Sequence, residues 1–305
     1  MELKHIVRLG RRWIGYVALR FCSLIIHLIP APSIKPIAKI TSEIGYILAG
    51  RHRKIALNTL NLAFGNSIER RQKVKIAKDS FRFMASGVLE LLFCVEYHNY
   101  IKKIVNIEGR DNLDKALAKK KGVISVTAHF GNFALMQFGL AAEGYSVNSI
   151  IRHMRDPQTD RYFLKKRNEI GVKTIYTEPR KICVTESLRS LKNNEVLFFL
   201  LDQNFGTGGV FVDFFCRKAA TATGPIVLAQ RSNAAILPMF MVHDQKETHR
   251  LIIEPEFKLE ECADNNQTIL LNIQRLTNII ECYIRRYPAE WSWIHRRWKS
   301  RPQDK

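Results

Sequence analysis

His129 stands where an apolar run ends. Residues 122–127 read GVISVT, Ala128 and His129 follow, and Phe130, Gly131 and Asn132 lead into the apolar stretch FALMQFGL. That order predicts a strand, a turn and a helix, with an imidazole at the start of the turn. The positive end of a helix dipole disfavours imidazolium, so the ring is expected to be neutral, as a general base must be. By itself a histidine at a strand end is more often structural. Asp202 follows the most apolar run of the chain, EVLFFLL at 195–201, a position where open α/β sheets place ligands and where turn-capping aspartates are equally common. Arg152 and Arg167 fall between predicted strands. Their guanidinium groups suit bidentate binding of phosphate, or surface salt bridges with Asp156, Asp160 or Glu169. GTGG at 206–209 lacks the Lys-Ser/Thr that would make it a phosphate loop and reads as a turn. No Ser or Cys lies in a nucleophile elbow.

The elements needed to position these residues are legible in outline. Short apolar runs at 122–127, 147–151, 195–201, 236–242 and 250–254 read as buried strands, and the stretches at 156–170 and 183–193 read as helices between them. Residues 34–105 read as helices, with apolar residues at helical spacing from Ile68 to Leu92, and 266–287 is helical again. The fold class is therefore α/β: a mixed central sheet flanked by helices, with an N-terminal helical membrane-anchoring segment. The boundaries are 1–32 for the anchor, 33–105 for a helical region and 106–305 for the α/β body. Phe211, Phe214 and Phe215 are assigned to the core.

Charge narrows the partners. The 305 residues carry 48 Lys plus Arg against 28 Asp plus Glu, a formal +20, which favours an anionic partner. No helix-turn-helix, zinc-finger or aromatic RNA-binding signature supports nucleic acid. Residues 1–60 hold ten of the Lys and Arg and only two acids, Glu2 and Glu43. Within them Trp13 to Ile29 is mostly apolar but interrupted by Arg20 and His27, and its 17 residues are short for the ~30 Å of hydrocarbon in a bilayer. A basic amphipathic helix lying in the interface fits better than a span. RHRK at 51–54 adds attraction to an anionic leaflet. The Trp- and Arg-rich segment from Trp291 to Trp298 also suits a membrane interface. The six cysteines, at 22, 94, 183, 216, 262 and 282, form no C-x-x-C pair and read as buried, reduced thiols of a cytoplasm-facing body.

Four ordered blocks resemble the bacterial lipid A biosynthesis acyltransferases, the late lauroyl/myristoyl branch of the lysophospholipid acyltransferase superfamily. They are HFGNFAL (129–135), IIRHMRDPQTDRYFLKKRNEIGVKTI (150–175), LLDQNFGTGGVFVDFFCRKAATATGP (200–225) and WIHRRWKSRP (293–302). RHRKIALNTLNLAFG at 51–65 fits as well. The resemblance implies transfer of a fatty acyl chain from an acyl carrier protein thioester, or from coenzyme A, to a hydroxyl of a lipid A precursor or related glycolipid. His129 would be the general base, and Asn132, Arg152, Arg167, Asp202 and Gln203 would belong to the substrate site. It implies no metal or redox cofactor. The implied partners are acyl carrier protein, an anionic glycolipid or phospholipid, and the bacterial inner membrane with the catalytic body on its cytoplasmic face. One position departs from the pattern. The family's His-x4-acid pair ends here in Ala134, where Glu is expected. Loss of the orienting acid implies a rate drop on the order of 10³–10⁴-fold, by analogy with a hydrolase triad. The implied chain is thus an inactivated acyltransferase, with a non-catalytic lipid- or carrier-binding homologue as the alternative.

Overall fold

The computed structural model describes residues 2–26, 28, 30, 33–244 and 248–302. Five helices come first: α1 (Glu2–Ile26), α2 (Ile34–Leu48), α3 (Gly50–Phe64), α4 (Arg70–Glu96) and α5 (His98–Ile104). Strands and helices then alternate as β1 (Val105–Glu108), α6 (Arg110–Ala118), β2 (Val123–Thr127), α7 (Phe133–Ala142), β3 (Val147–Ile151), α8 (Pro157–Ile170), β4 (Val172–Tyr176), α9 (Arg180–Lys192) and β5 (Val196–Leu200). A hairpin of β6 (Val210–Phe214) and β7 (Arg217–Thr221) precedes α10 (Gly224–Ser232), β8 (Ala235–His243), β9 (His249–Ile253) and α11 (Asn265–Arg286).

Seven strands form one sheet in the order β1-β9-β8-β2-β5-β3-β4. All neighbours are parallel except β8 and β9, so the sheet is mixed. Every residue of β2 is buried, as is β8 up to His243, because their Val, Ile, Leu, Met and Phe side chains face packed helices on both sides. α7 is apolar nearly all round and is correspondingly buried from Leu135 to Leu140. On α11 only one stripe is apolar. Ile273, Leu276, Ile280 and Ile284 are its buried apolar positions, at three- and four-residue spacing, flanked by buried Thr268, Asn272 and Thr277. Asp156 and Asp264 cap α8 and α11 by accepting from Thr159 N at 2.7 Å and Gln267 N at 3.0 Å.

The N-terminal helices are asymmetric. α2 packs along α4, whereas α1 meets the body through Ser23, whose hydroxyl donates to Glu96 at 2.8 Å and accepts from Tyr162 at 3.1 Å. Trp13, Ile14, Val17, Phe21 and Leu24 of α1 are exposed, and so are Ile40, Ile44, Ile47 and Leu48 of α2. Among the described residues no helix is long and apolar enough to cross a membrane.

Two sequence expectations are corrected. Trp291, Trp293 and Arg297 are fully buried rather than interfacial, because the two indoles pack edge-on against Phe214, Phe215 and one another and the Arg297 guanidinium lies over the Phe214 ring. Of the cysteines only Cys94 is buried; Cys22, Cys216 and Cys282 are exposed, on helix or turn positions that face away from the core. Phe214 and Phe215 are core residues, as the sequence indicates, whereas Phe211 is only half-buried.

Candidate active site

The sheet register brings two distant residues together. β2 and β5 are adjacent and parallel, with Thr127 opposite Leu200. Two residues beyond each lie His129 and Asp202, level with one another at the carboxyl end of the sheet. Leu201 N donates to Thr127 O at 2.9 Å and keeps the two chains paired up to that point. His129 Nδ1 lies 2.9 Å from Asp202 Oδ1. The His129 side chain keeps 27% of its exposure while that of Asp202 keeps 2%, so one face of the imidazole is open and the acid lies behind it.

Asp202 is fully engaged. Its other oxygen accepts from Trp291 Nε1 at 2.8 Å. Burial alone would raise its pKa, but the charge and hydrogen bond of His129, with the Trp291 donor and the His129 backbone N–H, outweigh this and hold the acid down to about 2. The group on Nδ1 is therefore a carboxylate. On the open side, Gln203 Nε2 lies 2.9 Å from His129 Nε2. An amide donor on Nε2 and a carboxylate on Nδ1 fit one tautomer: Nδ1 carries the proton and Nε2 offers a lone pair. That is the form a general base needs. His129 stands four residues ahead of the first residue of α7, its ring 5.0 Å from that of Phe133. Hydrogen bonds, more than a helix end, thus set its tautomer.

The turn after His129 is tightly determined. Gly131 has φ +59°, and a Cβ there would fall 1.8 Å from Met241 O, so only glycine fits. Phe130 is buried against the rings of Phe240 and Tyr283. Asn132 is the N-cap of α7. Its Oδ1 accepts from Leu135 N at 3.2 Å, and its Nδ2 donates to Glu90 Oε2 at 3.2 Å and Gly87 O at 3.3 Å. Its polar atoms are thus committed inside the protein, although the sequence assigned it to the substrate site. Glu90 also takes His249 Nε2 at 2.7 Å, and this buried cluster ties α4 to the turn.

The remaining predicted residues lie further out. Ala134 sits in the first turn of α7, partly exposed. Arg152 follows β3 and is exposed at the same carboxyl end of the sheet as the His–Asp pair, one strand from β5 and two from β2. Arg167 is different. It is buried, its Nε donates to Thr174 Oγ1 of β4 at 2.9 Å, and desolvation pulls its pKa down. It ties α8 to β4, the edge strand of the sheet. Sequence reasoning missed Trp291 and Arg297 as parts of the site. Arg297 is fully buried and donates to Gln203 O at 3.0 Å. Arg297 falls in the WIHRRWKSRP block of the resemblance, which pointed to the segment without giving it a place at the site; composition assigned the Trp- and Arg-rich ending to a membrane.

A family model described as "Bacterial lipid A biosynthesis acyltransferase" matches residues 1–300. The chain belongs to this family. Similar proteins include the lipid A biosynthesis palmitoleoyltransferase of Escherichia coli (strain K12), 29% identical over 266 residues that cover 83% of this chain and 80% of that protein. The lipid A biosynthesis lauroyltransferase of the same organism is 24% identical over 300 residues, 96% of this chain and 94% of that protein. A more distant relative is the phosphatidylinositol mannoside acyltransferase of Mycobacterium tuberculosis (strain CDC 1551 / Oshkosh), 23% identical over 193 residues, 63% of this chain and 59% of that protein. Relatives are thus named for acyl transfer to more than one kind of lipid.

Proposed function

We propose that this chain moves a fatty acyl chain from an acyl carrier protein thioester to a hydroxyl of a lipid A precursor, with His129 as general base and Asp202 as its orienting acid. The observation that carries this reading is the 2.9 Å bond between His129 Nδ1 and Asp202, with Nε2 left facing the open side. An acceptor hydroxyl takes the place of the Gln203 amide on Nε2. As its oxygen attacks the thioester carbonyl, its proton passes to Nε2, and Asp202 stabilises the imidazolium. The tetrahedral oxyanion collapses, the C–S bond breaks, and the imidazolium returns the proton to the leaving thiolate. The displaced Gln203 amide stands beside the reacting carbon, where it can donate to the oxyanion. Coenzyme A would serve the same steps as donor. Arg152, at the same end of the sheet, suits a phosphate of the acceptor.

Ala134 loses its expected consequence under this reading. A glutamate on α7 is one way to hold the imidazole, and a carboxylate after β5 is another. The rate drop implied by Ala134 is offset to the extent that Asp202 performs the same task.

The body lies at the cytoplasmic face of a bacterial inner membrane, attached through α1 and α2. Their exposed apolar stripes supply buried area in the interface, and the +20 net charge adds attraction to anionic lipid and to an acidic carrier protein. The test is mass spectrometry of lipid A from cells that lack a late acyltransferase and express this chain. The expected result is a new species heavier by one acyl chain, absent with His129→Ala. An unchanged lipid profile, with the protein folded and at the membrane, would favour a non-catalytic lipid-binding homologue, the reading that Ala134 supports.

A further inference from the structure

We propose that Trp291 is a positioning residue for the His129–Asp202 pair: its indole N–H fixes the carboxylate, and the segment that carries it fixes the backbone of the histidine. This rests on the acyl-transfer reading above. The segment reaches the site from the far end of the chain and touches it on three sides. Phe130 and Trp291 form an antiparallel bridge, flanked by Ser292 N donating to His129 O at 3.2 Å and Gly131 N donating to Glu290 O at 2.9 Å. Trp291 O in turn accepts from Ser80 Oγ of α4 at 2.8 Å. Further along, Arg297 holds Gln203 O, and Ser300 N donates to Asn204 Oδ1 at 3.2 Å. The loops that follow β2 and β5 are therefore fastened to one strap, residues 290–300.

The chemistry of indole suits the task. It is a donor only, on a rigid plane, so it can satisfy a carboxylate oxygen but cannot accept the His129 proton or rotate away. Trp291 is buried to 1% exposure, with ring centroids 5.7 Å from Phe214 and 4.6 Å from Trp293, which leaves its N–H little choice of direction. A buried carboxylate oxygen without a partner would be costly, and this donor removes that cost while leaving Oδ1 to His129. Trp293 provides an internal comparison. It is equally buried, but its N–H donates to Pro288 O instead of to the acid.

The experiment compares Trp291→Phe and Trp293→Phe in the full chain, with Trp291 also replaced by benzothienylalanine, which keeps the shape of indole without its N–H. Two readouts are taken. One is the downfield NMR resonance of the His129 Nδ1 proton, assigned by its loss in Asp202→Asn, which needs no substrate. The other is transfer from lauroyl-acyl carrier protein to lipid A precursor across pH. Removing the donor leaves the carboxylate more basic and less fixed. Both Trp291 replacements should shift the resonance, move the acid limb of the profile to higher pH and lower kcat roughly ten- to a hundredfold, with KM within about twofold. Trp293→Phe keeps an aromatic ring against Trp291 and removes no donor from the acid, so it should lower thermal stability while the resonance stays in place and kcat stays within about twofold. Trp291 variants that match Trp293→Phe in both readouts, while His129→Ala is inactive, would overturn the positioning role. Retention of the full rate by His129→Ala would instead overturn the underlying acyl-transfer reading, and the resonance would still report on Trp291.

Discussion

At the scale of single residues, two arginines that look alike in sequence separate in the structure. Arg152 is exposed and Arg167 is buried against Thr174. Arg152→Ala is expected to weaken use of an anionic acceptor by about 1–3 kcal/mol, seen in kcat/KM, with no change in Tm. Arg167→Ala is expected to lower Tm, because it empties a packed site; equal melting of the two variants would show that α8 does not depend on it. Glu290 gives a pH prediction. Burial raises its carboxyl to about 7, against the bond from His243 N. A folded-state pKa raised above the unfolded value of about 4.5 means that stability is full below pH 4.5 and is lost as pH rises through 7. Glu290→Gln should flatten the Tm-versus-pH curve between these values and leave the variant more stable at pH 8, by roughly 1 kcal/mol. A variant whose curve still falls from pH 5 to 8 would assign that slope to another group. His129 and Asp202 were both legible as candidates, each at the end of an apolar run. Their partnership was not, since it depends on β2 and β5 being neighbours in register, and four residues of pattern cannot state which strands pair.

Among the elements, apolar continuity decided what could be read. β2, β5 and β8 are mostly buried apolar runs and stand out in the sequence, and β3 and β9, though they hold Asn148, Ser149, His249 and Arg250, keep adjacent aliphatic residues. β1 (VNIE) and β4 (VKTIY) lie at the two edges of the sheet, have no two adjacent aliphatic residues, and were missed for that reason. The β6–β7 hairpin was hidden too. Its turn uses Phe215 and Cys216 at positive φ, where no Gly or Asn announces it. α1 reads as an amphipathic helix from its sequence, but the second exposed stripe, on α2, emerges only once α4 is seen to cover the other face. A double substitution, Ile44→Asp with Ile47→Asp, should therefore reduce binding to anionic vesicles severalfold without lowering Tm, as both side chains are exposed. Deleting residues 1–30 should reduce it further and leave a folded body, since α1 contacts α4 and α8 mainly around Ser23. Vesicle sedimentation checks both, and unchanged partition of either variant would mean that these stripes do not meet lipid.

For the molecule as a whole, the sheet gathers His129, Asp202 and Arg152 at its carboxyl end, and the N-terminal helices and C-terminal segment complete the arrangement. The C-terminal segment closes behind the acid, and the N-terminal helices carry the apolar and basic surface that would hold the cleft near a lipid substrate. Charge of one sign should also make carrier binding sensitive to salt, with KM for acyl carrier protein rising as ionic strength increases and kcat unchanged. The central claim is that Asp202, not residue 134, provides the carboxylate for His129. Single-turnover transfer from lauroyl-acyl carrier protein to lipid A precursor tests it in three proteins: the chain as it stands, Asp202→Asn and Ala134→Glu. The account predicts measurable transfer by the first, a fall of about 10³–10⁴-fold in the second and less than about tenfold change in the third. Full activity in Asp202→Asn, or no transfer until Ala134→Glu restores it, would contradict the account.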